Sequence, residues 1–306
     1  MNDGTHRVGR LPVQGVGTEL LAEIESLQLN ARHAAQGAMA GMHRSLRRGA
    51  SIEFSEHKVY TPGDDIRHID WRAYAKTDRY HVKQFEDETN LLVELIVDHS
   101  GSMAFATPGL PSKLEVARTL AAAIAYLALR QGDAVGLLTF AGDVTEELPA
   151  RATSTHLMEV LTRLVRLEPQ GPTAVCQSID QFAQRARRRA VTVILTDLFD
   201  PDPDLLGAFR RLAARRHDVA VLHLLDPAER DFPYDNPSLF ASMEDDRRLF
   251  VHPRTLRSAY VAEMQKFLAD TTRRMSEARI DYHLVDTKVD AANILGAFLR
   301  GRERRV

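Results

Sequence analysis

The feature that most constrains the fold is a pair of largely apolar runs, each ending in an aspartate. The first, residues 91–97, precedes Asp98, and the second, residues 191–196, precedes Asp197. Runs of this length bounded by turn residues are typical of strands buried on both faces. Helical patterns alternate with such runs from residue 91 onward, so the sequence predicts an α/β fold with a doubly wound, mostly parallel sheet and helices on both faces.

The predicted elements follow one another in regular order, and 306 residues are enough to bury a substantial core. Strands are predicted at residues 91–98, 134–140, 190–197, 218–225 and 281–286, with a short edge strand at 143–148. Helices are predicted at residues 113–131, 154–167, 173–188, 204–216, 257–279 and 290–300.

The chain before residue 89 has a different pattern. Residues 1–17 are expected to be flexible, and residues 18–88 to form an N-terminal helix, at 18–43, with a β extension that has strands at 52–60 and 80–87. Residues 89–306 are expected to form the α/β domain. Within it, residues 227–256 contain four prolines and are predicted to be a loop-rich insertion with a hairpin ending near residue 251.

Asp98, Ser100 and Ser102 occupy alternate positions directly after the first apolar run. Ligands of open α/β sheets bind at the carboxyl ends of the strands, so a functional site is expected in this loop. One carboxylate and two hydroxyl groups on a short turn that contains Gly101 are hard oxygen ligands, which suit a hard cation that keeps part of its water. Mg²⁺ is the expected ion, and Mn²⁺ would also fit.

Two further residues are candidates to close this site. Thr173 precedes a helical pattern that begins at Ala174, so its hydroxyl would project from a helix N-terminus, and Asp197 ends the second apolar run. If the two strands lie side by side, both residues reach the same crevice as Asp98. The alternative is that Asp98 and Ser100 only cap a turn or a helix.

This arrangement resembles the metal-ion-dependent adhesion site of von Willebrand factor A domains. The DxSxS loop at residues 98–102, then Thr173 and then Asp197 follow the order of that family, and the resemblance covers about residues 90–227. It implies a von Willebrand A-like, Rossmann-type fold in which all five residues hold one ion. It also implies that an acidic residue of a partner protein binds the ion, so the expected function is a non-catalytic, metal-dependent protein-binding module.

A second stretch, residues 60–71, reads YTPGDDIRHIDW. With Arg48-Gly49 and Glu53-Phe54 before it and residues 83–86 after it, it resembles the bacterial domain of unknown function 58 proteins, in which it precedes a von Willebrand A-like domain. Relatives tend to occur with MoxR-type AAA+ ATPases. The resemblance therefore implies an adaptor or co-chaperone that acts between such an ATPase and a client.

Taken on its own residues, the Pro-Gly-Asp-Asp segment at 62–65 is a turn. The charged residues Asp64, Asp65, Arg67 and Asp70 stand next to the only tryptophan, Trp71. A structural set of ion pairs is expected there, and a catalytic cluster is the alternative.

Charge and composition exclude several classes of protein. With 40 basic and 42 acidic side chains, the chain has no global field that would attract nucleic acid. Its single cysteine, Cys176, excludes an internal disulfide and is typical of a reducing compartment. The longest apolar stretch, residues 120–129, is shorter than the ~20 residues that cross a bilayer, and no targeting signal precedes it. We therefore expect a cytoplasmic protein without a membrane span.

A Mg²⁺-dependent phosphoester hydrolase is the alternative function. Asp98 or a metal-activated water would then attack, with His99 as the base. However, His99 is expected to point away from Asp98 and Ser100, because side chains alternate near a strand end. Ser100 also stands where aspartyl phosphatases typically have a second acid, and neither phosphate-binding glycine motif occurs. We therefore expect no enzymatic activity.

Overall fold

The computed structural model describes residues 18–45, 58–59, 81–82, 91–186 and 188–303. Within these ranges the strands are β1 (Lys58–Val59), β2 (His81–Val82), β3 (Leu92–Asp98), β4 (Ala134–Phe140), β5 (Val144–Arg151), β6 (Val191–Thr196), β7 (Asp218–Leu225), β8 (Ser238–Ala241), β9 (Arg248–Val251) and β10 (Asp281–Asp286). The helices are α1 (Thr18–Ser45), α2 (Lys113–Arg130), α3 (His156–Val165), α4 (Val175–Arg185), α5 (Leu205–Ala214), α6 (Pro227–Asp231), α7 (Pro253–Glu277) and α8 (Ala291–Glu303).

Six of these strands form one sheet, in the order β10-β7-β6-β3-β4-β5. All neighbouring pairs are parallel except β4 and β5, which are antiparallel. The predicted mostly parallel sheet is therefore confirmed, and the predicted edge strand is present as β5. The architecture is consistent with a von Willebrand A-like fold.

Successive residues of a strand point to opposite faces of the sheet, and helices cover both of these faces. Leu95 and Val97 of β3 belong to a core that includes buried residues of α1, α2, α3 and α8. Ile96, between them, belongs to a second core with residues of α4 and α5 and with Met275 of α7. The fold is thus doubly wound, as the sequence predicts.

The order of the strands decides where the candidate site residues lie. Strands β3 and β6 are direct parallel neighbours, with Val97 opposite Leu195. Their carboxyl ends therefore lie at the same edge of the sheet, where Asp98 comes beside Thr196, one residue before Asp197. Neighbouring positions for these two aspartates are what the sequence predicts.

The region from 227 to 256 contains more regular structure than the sequence suggests. The predicted hairpin is present, since β8 and β9 are antiparallel and form a two-stranded sheet of their own. A short helix, α6, precedes it and was not predicted; Asp226 caps it in a capping box, and a proline stands in its first turn. Helix α7 begins at Pro253, earlier than the predicted residue 257, because proline is well suited to the first position of a helix.

Aromatic side chains attach this hairpin to the rest of the fold. Phe232 stacks on Phe240 of β8 with ring centroids 5.6 Å apart and packs against Tyr260 of α7 at 4.6 Å. Tyr234 contacts both phenylalanines. The hairpin is therefore held by side-chain packing and by pairing between its own strands, rather than by pairing with the main sheet.

The N-terminal part of the chain is described in segments. Helix α1 is present where the sequence predicts it and packs closely on α8, where a methyl group at Gly37 would lie 2.7 Å from the Ala292 side chain. The described residues 18–42 form one compact unit with the described residues from Leu91 onward, and the short β1–β2 pair lies in a second unit. The expected flexible segment 1–17, most of the strands predicted at 52–60 and 80–87, and residues 60–71 lie outside the described residues.

No helix in the described part of the chain is both long enough and apolar enough to span a bilayer.

Candidate metal-ion site

The loop after β3 brings its aspartate and two serines together. The Ser100 backbone amide donates to Asp98 Oδ1 at 2.9 Å, and a short 3₁₀ turn follows at Gly101–Ala104. That turn places the Ser100 and Ser102 hydroxyl oxygens 3.3 Å apart. Asp98 and Ser100 are both 0% exposed. Asp98 thus caps the turn through the Ser100 amide, whereas the Ser100 side chain makes no capping hydrogen bond to the 3₁₀ turn.

The loop that carries Thr173 is joined to this turn through the backbone. Gly101 donates its amide to the Gly171 carbonyl oxygen at 2.9 Å, and Gln170 donates to the His99 carbonyl oxygen at 2.9 Å. Gly171 has a φ of +62°, a conformation that glycine adopts without strain. Two residues on, the Thr173 hydroxyl donates to Asp98 Oδ2 at 3.3 Å. Thr173 therefore lies just before helix α4 and faces the aspartate, as predicted.

The third loop follows β6. The Thr196 hydroxyl donates to Asp98 Oδ2 at 2.7 Å, and the Ser102 side chain contributes to lowering the pKa of Asp197. The chain then turns sharply, because Leu198 has a φ of 55°, which is unusual for a residue other than glycine. Asp197 Oδ1 accepts the Phe199 amide at 3.1 Å and stabilises this turn.

All five residues proposed from the sequence are thus grouped around one point: Asp98, Ser100, Ser102, Thr173 and Asp197. Hydrogen bonds join Thr173 to Asp98 and Ser100 to Ser102, and Ser102 contributes to lowering the pKa of Asp197. Thr196 belongs to the same group and was not proposed. Its position at the end of β6, directly before Asp197, was the available signal, since it comes beside Asp98 when β3 and β6 pair.

Lys113 also belongs to the site, and it was not proposed from the sequence. It is the first residue of α2 and is 1% exposed, and its Nζ lies 2.8 Å from Asp197 Oδ2 and 2.6 Å from Glu229 Oε1 of α6. A cation is disfavoured at a helix N-terminus, where the helix dipole is positive. A lysine as the first residue of a helix was therefore a sign that an acid lies nearby.

The two aspartates have opposite electrostatic surroundings. Burial raises the pKa of Asp98 to about 7, with a further rise from the charge of Asp197. Burial also opposes ionisation of Asp197, but the Lys113 ammonium and its hydrogen bond outweigh that effect and hold the pKa of Asp197 below its ordinary value. Negative charge on Asp197 is therefore balanced by Lys113, whereas Asp98 accepts bonds from hydroxyl and amide groups.

The turn of the β8–β9 hairpin lies directly on this site. A methyl group at Gly101 would lie 2.0 Å from the Met243 carbonyl oxygen, so the hairpin backbone contacts the loop at a position that only glycine leaves open. Beside it, Glu244 Oε2 accepts the Thr173 backbone amide at 3.3 Å. Glu244 Oε1 is buried and has no hydrogen-bond partner among the described residues. Sequence reasoning did not identify Glu244.

These donors fit a hard divalent cation. Hydroxyl groups and carboxylates are the oxygen ligands that Mg²⁺ and Mn²⁺ accept, and Glu244 Oε1 is a buried oxygen that lacks a donor within the described ranges. In the same part of the chain, no three His, Cys, Asp or Glu side chains are grouped so that they could hold a metal ion. The hydroxyl groups of Ser100, Ser102 and Thr173 would therefore have to supply part of the coordination.

His99 does not belong to this group. Its Nδ1 lies 2.8 Å from the Glu168 carbonyl oxygen and its Nε2 lies 2.8 Å from the Thr145 hydroxyl on β5. Both ring nitrogens are occupied on the side of the strand away from Asp98. The prediction that His99 points away from the site is confirmed.

Comparison with known protein families and curated proteins gives matches over most of the chain. The family model described as "Protein of unknown function DUF58" matches residues 56–269. Uncharacterized proteins from Mycobacterium bovis and Mycobacterium tuberculosis are 32% identical over 219 residues, which is 70% of this chain and 68% of theirs.

Two of the solved structures to which the chain is similar come from Bacteroides species. An aerotolerance-related membrane protein from Bacteroides fragilis, with multiple mutations to serine, is 22% identical, with a TM-score of 0.45 over 70% of this chain and 99% of that one. The conserved hypothetical protein BatB from Bacteroides thetaiotaomicron is 17% identical, with a TM-score of 0.44 and the same coverage.

Proposed function

The chain belongs to the DUF58 family of proteins of unknown function, and we propose that it is a non-catalytic protein-binding module that depends on a divalent metal ion. The observation that carries this proposal is the convergence of three separate loops on Asp98, which accepts hydrogen bonds from Thr173 and Thr196 and lies beside Asp197. Loops that are distant in sequence supply oxygen donors to one buried point. That is the arrangement a hard cation requires.

The residues have different parts in this proposal. Asp98, Ser100, Ser102 and Thr173 would hold Mg²⁺ or Mn²⁺, and Asp197, which is paired with Lys113, would act on the ion through a bound water. A bound ion held largely by hydroxyl groups supplies strong Lewis acidity at a position that a carboxylate oxygen can take. An aspartate or glutamate of a partner protein is the ligand proposed for that position.

Direct support for a binding role rather than a hydrolytic one comes from His99. His99 is the base considered for the hydrolase alternative, and both nitrogens of its imidazole are engaged with Glu168 and Thr145. We therefore assign the site to recognition.

The partner that we propose is a MoxR-type AAA+ ATPase, with the module acting as an adaptor or co-chaperone. This part of the proposal rests on the resemblance between residues 60–71 and the DUF58 sequences together with the family match. We place the module in the cytoplasm as part of the same proposal, because its single cysteine favours a reducing compartment.

The experiment is a pull-down from lysate of the host organism, run in Mg²⁺ and in EDTA. Wild type is compared with Asp98→Ala and with Asp270→Ala, a control that removes a half-exposed carboxylate on α7. We expect wild type and the control to retain a AAA+ ATPase in Mg²⁺ only, and Asp98→Ala to retain none. Retention that survives both EDTA and Asp98→Ala would contradict the proposal, as would turnover of a phosphoester by the wild type that Asp98→Ala loses.

A further inference from the structure

The hairpin turn at residues 242–246 covers the site that we propose as the metal centre. Its backbone is closed by the Ser242 amide, which donates to the Arg247 carbonyl oxygen at 2.8 Å. On the side facing the site, the Met243 carbonyl lies against Gly101, where no side chain separates the two backbones. The turn is thus in direct contact with the loop between Ser100 and Ser102.

The candidate site is nearly closed to solvent in this arrangement. Asp98 and Ser100 are 0% exposed, Asp197 is 5% exposed and Thr173 is 8% exposed. A carboxylate of a partner protein has to approach the ion within about 2–2.2 Å, which is a ligand distance. Such an approach requires a surface opening next to these residues. The described structure therefore represents a state in which a partner has no access.

Glu244 is the side chain that the turn contributes to the covered site. Its Oε2 is held by the Thr173 amide, and Thr173 also donates to Asp98. The second oxygen, Oε1, is buried without a hydrogen-bond partner among the described residues. Burying a carboxylate oxygen without a donor or a cation is unfavourable, so an oxygen in this position calls for a positively charged neighbour.

We propose that Glu244 is an internal ligand of the metal ion. Its carboxylate takes, from within the chain, the position that a partner's acidic residue takes in the open state, and the inference rests on the metal-dependent function proposed above. A partner binds only when the hairpin turn moves away and Glu244 leaves the ion. The hairpin thereby makes binding conditional on a competition between two carboxylates.

The construction of the hairpin suits such a displacement. Among the described strands, β8 and β9 pair only with each other, so the main sheet keeps its hydrogen bonds when the turn moves. The aromatic contacts of Phe240 with Phe232 and Tyr234 lie along the strand and can persist as a hinge. Movement of the turn separates the Met243 carbonyl from Gly101 and breaks the hydrogen bond that the Thr173 amide donates to Glu244.

The test uses Mn²⁺ as the metal and acetate as the carboxylate probe. Mn²⁺ binding is followed by electron paramagnetic resonance for wild type, Glu244→Gln, Asp98→Asn and Asp246→Asn, the last a matched control because Asp246 is an exposed carboxyl residue of the same turn. The Mn²⁺-loaded proteins are then titrated with acetate. Melting curves in EDTA verify that each variant is folded.

If the proposal holds, Glu244→Gln binds Mn²⁺ several-fold more weakly, because a charged ligand becomes a neutral one. Its half-saturating acetate concentration falls about tenfold relative to wild type, because the competing internal carboxylate is gone. Asp246→Asn behaves as wild type in both measurements.

Two negative outcomes separate this inference from the proposed function. If wild type binds Mn²⁺, Asp98→Asn does not, and Glu244→Gln equals Asp246→Asn in both titrations, then Glu244 is not a ligand and the metal site stands. If wild type binds no Mn²⁺, or Asp98→Asn binds it equally well, then the metal site fails and the internal ligand fails with it.

Discussion

Two aspartates at the ends of neighbouring strands are compensated in different ways. Asp197 lies beside a buried ammonium, Lys113 Nζ, at 2.8 Å, whereas Asp98 accepts hydrogen bonds from Thr173, Thr196 and the Ser100 amide. Both are almost fully buried, yet the pKa of Asp98 is raised to about 7 and that of Asp197 is lowered. Burial alone does not decide the charge of a carboxyl group; its partner does.

This contrast also separates two parts of the site. On the Asp197 side, the protein's own Lys113 ammonium already balances the carboxylate. The Asp98 side offers oxygen atoms that hydroxyl and amide groups surround, so it is the side where an added ion has most to contribute. Lys113→Met changes the Asp197 side of the site, and Thr173→Val changes the Asp98 side. Glu94→Gln changes a carboxylate outside the site that shares with Asp98 a pKa raised by burial.

Removal of the cation on the Asp197 side has the largest expected effect. Lys113→Met leaves the buried Asp197 and the partly buried Glu229 without their positive partner, and such broken buried pairs destabilise a protein by about 3–5 kcal/mol. The free energy of unfolding, measured in urea with EDTA present, should fall by that order. Lys266→Met is the control, since Lys266 and Glu263 form an exposed pair at 3.6 Å, and a change below about 1 kcal/mol is expected. Equal effects of the two variants would contradict the difference between the aspartates.

A buried carboxylate away from the site gives the next largest effect. Burial, with a smaller contribution from Glu147, raises the pKa of Glu94 on β3 from 4.5 to about 7. The folded state then binds a proton more tightly than the unfolded state. The stability from this group is present below pH 4.5 and is lost as the pH rises through 7.

Glu94→Gln should remove this dependence. Between pH 4.5 and 7, the unfolding free energy of wild type in EDTA should fall by on the order of 2–3 kcal/mol more than that of the variant. Urea unfolding at several pH values measures the difference, and Glu263→Gln, at an exposed glutamate, is the control. Parallel curves for wild type and Glu94→Gln would mean that a partner compensates Glu94 as Lys113 compensates Asp197.

Loss of one hydroxyl on the Asp98 side has the smallest expected effect. Thr173→Val keeps the shape of the side chain and removes one oxygen, so the dissociation constant for Mn²⁺ should rise about tenfold, equivalent to about 1.4 kcal/mol. Calorimetric titration with Mn²⁺ measures this change. Thr119→Val is the control, because the Thr119 hydroxyl donates to the Glu115 carbonyl oxygen within its own helix. Unchanged affinity in Thr173→Val would exclude Thr173 from the ion's ligands.

Much of the sheet was predictable because its strands have continuous apolar runs. The observed bounds of β4, β7 and β10 equal the predicted ones, 134–140, 218–225 and 281–286. The grouping of Asp98, Thr173 and Asp197 was predictable for a related reason, since carboxyl ends of parallel strands meet at one edge of a sheet. Their role as metal ligands stays a prediction.

Lys113 and Glu244 were not predicted, because neither position follows from a repeating pattern. Lys113 contacts an aspartate 84 residues away in sequence, and Glu244 contacts a threonine 71 residues away. The position of Glu244 depends on how the aromatic side chains pack the hairpin against the rest of the fold. That packing brings together residues that are distant in sequence. The connections of the hairpin are also rich in proline and show no periodicity. The position of the hairpin in the fold could therefore not be predicted from the sequence.

The outer strand β5 has a consequence for how the protein behaves at high concentration. A free sheet edge is a template on which another chain can add a strand, and such growth leads to aggregates. Along β5, Glu146, Glu147 and Arg151 place charges on this border, and Pro149 lacks the amide that a new strand would need. The register with β4 is also interrupted twice. This border of the sheet therefore resists further strand addition, which favours a protein that stays dispersed in concentrated solution.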